Sequence, residues 1–284
     1  MAYWIMRFGA WILRHLHEAI GYPFFGLIGK LYYALNGKRR RVVAANMRIV
    51  LGPAASEREV QCAAREAFHH QVWNYYDLFH MPAFSPEAIR RRMDIQGVEH
   101  IDSALARGKG VLLISMHYGN VETLMQIPTL YPYMRFILLV EKMADRRIFE
   151  LLGNLRTSAG MDIAAVDEPL KIIKRLKQNC VAGIACDRDV TNSGVVVDFF
   201  DKPARLPDGP VRLAMRTGAA LIPAYGWRER SGQFRVRVLP EVEMVCTDDP
   251  EADVRVNMRR MLAVFERIIR ERPGQWMAFH PLWV

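Results

Sequence analysis

Downstream of Pro82, short apolar runs alternate with stretches in helical period. The runs are Gly110 to Ser115, Phe136 to Val140, Val181 to Cys186, Leu221 to Tyr225 and Phe234 to Leu239. Each has the length of a strand, and several stay apolar at successive positions, as strands covered on both faces do. Strands that alternate with helices pack as an α/β sandwich, a central and mostly parallel sheet flanked by helices. With 284 residues, 51% of them apolar, the chain is long enough to bury such a core.

The run Val111 to Ile114 follows the turn-forming Arg107-Gly108-Lys109-Gly110 and leads into Ser115-Met116-His117-Tyr118-Gly119-Asn120-Val121-Glu122. His117 therefore falls at the carboxyl end of a strand, the edge where open α/β sheets gather their ligand sites. Gly119-Asn120 supplies a turn and an N-cap, and Glu122 enters the first helical turn, where the macrodipole favours a carboxylate. On one continuous helix, His117 and Glu122 would lie about 140° apart, so contact between them requires His117 to sit in the loop. There, a carboxylate on one imidazole nitrogen fixes the tautomer and leaves the other nitrogen to accept a hydroxyl proton. The same residues also read as a turn histidine and a solvated carboxylate. Ser115 lacks the G-x-S-x-G elbow that exposes a nucleophilic serine.

The net charge of +9 and pI near 9.6 call for an anionic partner. Lys38-Arg39-Arg40-Arg41 follows an apolar, aromatic segment and no nucleic-acid-binding module, which favours an anionic membrane surface over nucleic acid. Between Ala2 and Leu35 the apolar sequence is interrupted by Arg7, Arg14, Glu18 and Lys30. No uncharged stretch reaches the ~18 residues a spanning helix needs. Within Ala19 to Gly29, Gly21, Pro23 and Gly26 weaken a helix further. Residues 1–41 thus read as an amphipathic, interfacial helical segment, or as helices packed on the domain, and residues 42–284 as the catalytic domain. No signal-peptide cleavage pattern follows Glu18. Cys62, Cys180, Cys186 and Cys246 form no C-x-x-C pair, so neither zinc site nor disulfide framework is indicated, and the catalytic part is expected to face a reducing cytoplasm.

Residues 42 to 80 read as helices, with a capping box at Ser56-Glu57-Arg58-Glu59 and apolar residues Ala63, Ala67, Phe68, Val72, Tyr75 and Leu78. Arg156 falls on a helix from Phe149 to Ser158, where solvent exposure is the default for an arginine. Asp187-Arg188-Asp189 leaves the 181–186 strand at the same edge as His117, either as a salt-bridged turn or as a charged scaffold. Asp187-x-Asp189 lacks the glycine and distal glutamate of a calcium loop, so no metal is expected.

The His117-x4-Glu122 spacing resembles the His-x4-Asp/Glu signature of glycerolipid acyltransferases. Its flanks resemble the branch that contains lipid A acyltransferases and phosphatidylinositol-mannoside acyltransferases. Further matches follow in order: Glu141-Lys142 with Arg156, Asp187-Arg188-Asp189, the stretch from Asp198 to Pro210, and the closing Gln275-Trp276-Met277 with His280. The likeness covers roughly residues 30 to 283. It implies a membrane-associated acyltransferase, peripheral or monotopic on the cytoplasmic face of the inner membrane, without a cofactor. An acyl-CoA or acyl carrier protein would be the donor and a glycolipid the acceptor. It implies His117, Glu122 and Glu141 as catalytic residues, and Arg156, Asp187, Arg188, Asp189, Ser115, Gly119 and Asn120 as substrate-binding ones. Backbone N–H groups near Gly119, or Arg156, would stabilise the oxyanion. Parts of 42–80 would help form the acyl groove. Arg188 between the aspartates, where lipid A enzymes usually carry glutamine, and the Gly209-Pro210 stretch favour a glycosylated phospholipid as acceptor over lipid A. Asp201 departs from the glycine that many relatives carry, so the turn beside Phe200 is open to difference. A noncatalytic lipid-binding protein and a thioesterase are the competing readings.

Overall fold

The computed structural model describes the chain except residues 1, 142–144, 158–159, 191–192 and 230, and except the side chains of residues 2, 3, 5, 123, 156 and 157. In chain order the elements are α1 (Ala2–His15), α2 (Glu18–Leu35), α3 (Gly37–Leu51), α4 (Glu57–His80), α5 (Pro86–Arg92), β1 (Met93–Gln96), α6 (Val98–Leu105), β2 (Val111–Ser115), α7 (Val121–Leu124), α8 (Ile127–Leu130), β3 (Phe136–Val140), α9 (Arg146–Thr157), β4 (Met161–Ala165), α10 (Pro169–Lys177), β5 (Val181–Ala185), β6 (Val195–Phe199), β7 (Lys202–Leu206), α11 (Gly209–Thr217), β8 (Ala220–Arg228), β9 (Phe234–Val238) and α12 (Pro250–Glu271). Seven strands form one sheet in the order β1-β9-β8-β2-β5-β3-β4. All neighbours are parallel except β8 and β9.

The five expected strands are present as β2, β3, β5, β8 and β9, with ends shifted by a few residues at most. Because the pleat alternates, Leu112, Ile114, Ile137, Leu139 and Ala182 join a core under α3, α4 and α12, whereas Val111, Leu113, Phe136, Leu138 and Val181 face a second core with α5, α6 and α8. The capping box forms as expected: the Ser56 hydroxyl accepts from the Glu59 N–H and the Glu59 carboxylate accepts from the Ser56 N–H.

β6 and β7 make a separate hairpin whose two-residue loop is Phe200-Asp201, with φ of 52° and 57°. Two successive left-handed residues define the tight turn that suits the twist of antiparallel strands, and aspartate tolerates this region better than most residues. The turn is thus of the kind glycine favours, with Asp201 in glycine's place. Asp201→Gly is expected to be neutral or to stabilise by up to about 1 kcal/mol, read as a raised melting temperature.

Helix α2 runs unbroken through Gly21, Pro23 and Gly26. Packing on α4 overrides their weak propensity: Gly21, Phe25 and Gly29 are buried at helical spacing. A Cβ on Gly21 would lie 2.4 Å from the Tyr76 ring, so only glycine permits this approach. The opposite stripe of α2, with Ile20, Phe24, Leu27, Leu31 and Leu35, is exposed, as are Trp4, Phe8, Trp11 and Ile12 of α1. Lys38 to Arg41 begin α3, where Arg39 and Arg40 stand over the rings of Tyr32 and Tyr33. Among the described residues no helix is long and apolar enough to cross a membrane.

Candidate active site

Strands β2 and β5 are parallel neighbours in a register that pairs Ser115 with Ala185. Two residues beyond each, the same register brings His117 opposite Asp187. The imidazole Nδ1 lies 2.8 Å from Asp187 Oδ1, and the His117 backbone N–H donates to Asp187 Oδ2 at 3.0 Å. The Trp276 indole N–H donates to the same Oδ2 at 2.9 Å. Asp187 is almost wholly buried, whereas the His117 side chain keeps 44% of its surface and turns it toward a cavity.

Burial by itself would depress the His117 pKa, but the charge and hydrogen bond of Asp187, helped by Glu141 and opposed by Arg188, hold it above the ordinary imidazole value. Burial would raise Asp187, yet His117, Trp276 and the backbone N–H keep it below the usual carboxylate range. The raised imidazole pKa stabilises the fold fully below about pH 6.5 and loses that contribution as pH rises through the folded value. The lowered carboxylate contributes above about pH 4 and loses its share as pH falls. A base, however, works only as the neutral ring. Activity is therefore expected to rise with pH along a limb centred above about 6.5, and Asp187→Asn should move that limb to lower pH in a kcat/KM profile.

This geometry corrects the expectation for the ring's partner: the carboxylate on Nδ1 is Asp187, not Glu122. Equal offsets from two adjacent strand ends bring residues 117 and 187 together, whereas Glu122 is carried into α7. Glu122 is buried and lines the same cavity, and its charge is near enough to Asp77 to raise that group's pKa. Glu141 and Arg188 pair at 3.0 Å, both on the cavity wall, and Ser115 lines it too.

Three other candidates take part in hydrogen bonds of the fold. Backbone N–H groups around Gly119 are already engaged: Tyr118 with Met116 O, Gly119 with Gln275 O at 2.7 Å, Asn120 with Gly226 O, and Glu122 with the Asn120 side chain. These four N–H groups are spent on the fold's own hydrogen bonds, and Gly119 is a turn residue with φ of 58°. Asn120 is fully buried, its amide donating to Asp77 at 2.6 Å and its carbonyl accepting from the Glu122 N–H at 3.0 Å. Asp189 accepts from the Gly194 N–H at 2.9 Å. Arg156 falls in α9, and its side chain and Lys142 lie outside the described residues.

The closing segment supplies what spacing did not reveal. Met277 N–H donates to His117 O at 2.8 Å, Gln275 bridges Gly119 and the Arg228 backbone, and Trp276 reaches Asp187. Asn46 of α3 holds this tail by donating to Ala278 O and His280 O. The His280 pKa is depressed by burial and by the nearby Arg188 and Arg39.

The cavity measures about 690 Å³, within the range of small-molecule sites. It is mostly apolar and is lined from both faces of the sheet: Leu113, Phe136, Leu138 and Met161 on one, Ile172, Ile173, Ile184 and Leu213 on the other. Of the 42–80 segment, Gln71, Asn74, Tyr75 and Leu78 reach it, whereas Ala63, Ala67, Phe68 and Val72 are core. Among the described residues no group of three or more His, Cys, Asp or Glu side chains is arranged to hold a metal.

The chain matches the family model "Bacterial lipid A biosynthesis acyltransferase" over residues 1–284. It is 30% identical over 265 residues to the phosphatidylinositol mannoside acyltransferase of Mycobacterium tuberculosis, covering 90% of this chain and 80% of that one. The corresponding protein of Mycolicibacterium smegmatis is 28% identical, covering 96% and 88% of the two chains. The lipid A biosynthesis lauroyltransferase of Escherichia coli is 27% identical, covering 98% and 90%. A crystal structure of a 1-acyl-sn-glycerophosphate acyltransferase from Thermotoga maritima aligns over 90% of this chain and 99% of that one, with a TM-score of 0.39 at 16% identity. With a partly exposed histidine held by a buried carboxylate beside a mostly apolar cavity, and a family match over residues 1–284, the chain is an acyltransferase that belongs to the bacterial lipid A biosynthesis acyltransferase family.

Proposed function

We propose that the chain moves a fatty acyl group from the thioester of acyl-CoA or acyl carrier protein to a hydroxyl of a glycosylated phospholipid of the phosphatidylinositol-mannoside type, at the cytoplasmic face of the membrane. The observation that carries this reading is the His117–Asp187 pair opening into a mostly apolar cavity. With Nδ1 engaged by Asp187, Nε2 is the nitrogen that takes the hydroxyl proton as the oxygen attacks the thioester carbonyl. The new C–O bond forms, the C–S bond breaks, and the proton passes from the ring to the departing thiolate. No acyl-enzyme is formed. Asp187 keeps the tautomer and stabilises the imidazolium of the transition state.

The N–H groups of His117, Tyr118, Gly119, Asn120 and Glu122 are already bonded, which leaves the oxyanion to another donor. Arg188 lines the cavity and lies near enough to His117 to oppose its protonation, so its guanidinium suits that role, alone or with Arg156. The apolar cavity suits the acyl chain. Exposed aromatic and aliphatic stripes on α1 and α2, with the basic start of α3, suit an anionic bilayer surface. The higher identity to mannoside acyltransferases supports the acceptor class.

The test is mass spectrometry of membrane lipids from a host lacking the enzyme, expressing wild type or His117→Ala. A mannosylated phospholipid heavier by one acyl group, present with wild type alone, is the expected result. A lipid A species gaining the chain would move the acceptor to the other branch, and free fatty acid formed at full rate without acceptor would make the protein a thioesterase.

A further inference from the structure

Asp77 of α4 has no exposed surface and is absent from the cavity wall, yet three segments converge on its carboxylate. The Tyr22 hydroxyl of α2 donates to Oδ1 at 2.6 Å, the Asn120 amide donates to Oδ2 at 2.6 Å, and the Arg228 guanidinium at the end of β8 also pairs with Oδ2. Arg228 is itself buried, with its guanidinium carbon 4.5 Å from the centroids of Tyr22 and Phe234 and 5.5 Å from that of Trp73. Burial pushes the Asp77 pKa up, and Arg228 and Tyr22 oppose that push.

A buried ion pair rarely stabilises a fold more than an apolar pair of the same volume would. What this one provides is a fixed acceptor for Asn120. That side chain is thereby oriented, amide toward Asp77 and carbonyl toward the Glu122 N–H, so it sets both the exit of the His117 loop and the start of α7.

We propose that Asp77, with Arg228 and Tyr22, is a positioning residue for acyl transfer, fixing the His117 loop through Asn120 and making the seating of α2 part of the site's geometry. The inference rests on His117 as the base. An error of about 1 Å in such a loop costs up to roughly a hundredfold in rate, so the effect belongs in kcat.

The experiment measures kcat, KM for the acyl donor and melting temperature for wild type, Asp77→Asn, Asn120→Asp, the double variant with both changes, Tyr22→Phe, and His117→Ala as control. Each of Asp77→Asn and Asn120→Asp should lower kcat by about ten- to a hundredfold with donor KM within about threefold. The double variant exchanges the two partners, returns a carboxylate to the reach of Arg228, and should recover most of the loss. Tyr22→Phe keeps the ion pair and the ring, so it folds even where Asp77→Asn does not, and should lower kcat by roughly three- to tenfold. Tyr22→Phe at wild-type kcat, a loss confined to KM, or a double variant that melts like wild type without recovering kcat would each overturn the proposal. An active His117→Ala would instead remove the base on which it rests.

Discussion

Asp187→Asn is expected to reduce acyl transfer by roughly 10²- to 10⁴-fold, close to the effect of His117→Ala, whereas Glu122→Gln should cost about ten- to a hundredfold. The difference lies in what each carboxylate touches. Asp187 accepts from the His117 ring, the His117 backbone and the Trp276 indole. Asparagine of the same shape offers one oxygen to these three donors and turns an NH₂ toward at least one of them. The neutral ring then loses its preferred tautomer and a buried donor is left unmet, which also costs about 1–3 kcal/mol of stability. Glu122 makes no bond to Nδ1, so its amide leaves the base oriented. Steady-state rates for the three variants decide the matter; a larger loss for Glu122→Gln than for Asp187→Asn would return the orienting role to Glu122.

Gly119→Ala is expected to destabilise the fold by about 3–5 kcal/mol and to remove activity in whatever fraction remains folded. A Cβ at this position would stand 2.0 Å from Gly226 O and 2.7 Å from Trp227 Cα, both backbone atoms that no side-chain rotation can move aside. The φ of 58° adds the strain of a left-handed residue. Relief requires the loop to lift off β8, which pulls Gly119 N–H from Gln275 O and its carbonyl from Asn74. Thermal unfolding of the purified variant measures the loss; a melting temperature within a degree of wild type would show that the turn is softer than its packing implies.

The sheet was legible in the sequence where its strands are central. Runs such as Val111 to Ile114 are apolar at every position because helices cover both faces, and they stood out. β1, with Asp94 and Gln96, and β4, with Asp162, are edge strands of mixed polarity, so their period carries little signal. The site divided in the same way. That His117 and Asp187 leave adjacent strand ends was readable, but that Asp187 rather than Glu122 holds the ring depends on the register between β2 and β5, which no local pattern encodes. Asn120 and Gly119 carried the right turn chemistry, but that their polar groups serve hydrogen bonds to Asp77, Asn74 and Gln275 depends on residues far off in the chain. Trp276 was visible only as part of a closing motif, because its partner is 89 residues away.

The hold of residues 275–277 on the His117 loop has a consequence for biosynthesis. As the chain emerges during translation, β1 waits for β9, and the loop with its histidine waits longer still, for residues 275–277. A copy released before Gln275 keeps β2 and His117 but lacks Met277 of the cavity wall and the contacts that fix the loop. A chain that stops short of Gln275 is therefore expected to transfer no acyl groups, and catalysis waits for residues 275–277 to reach the His117 loop.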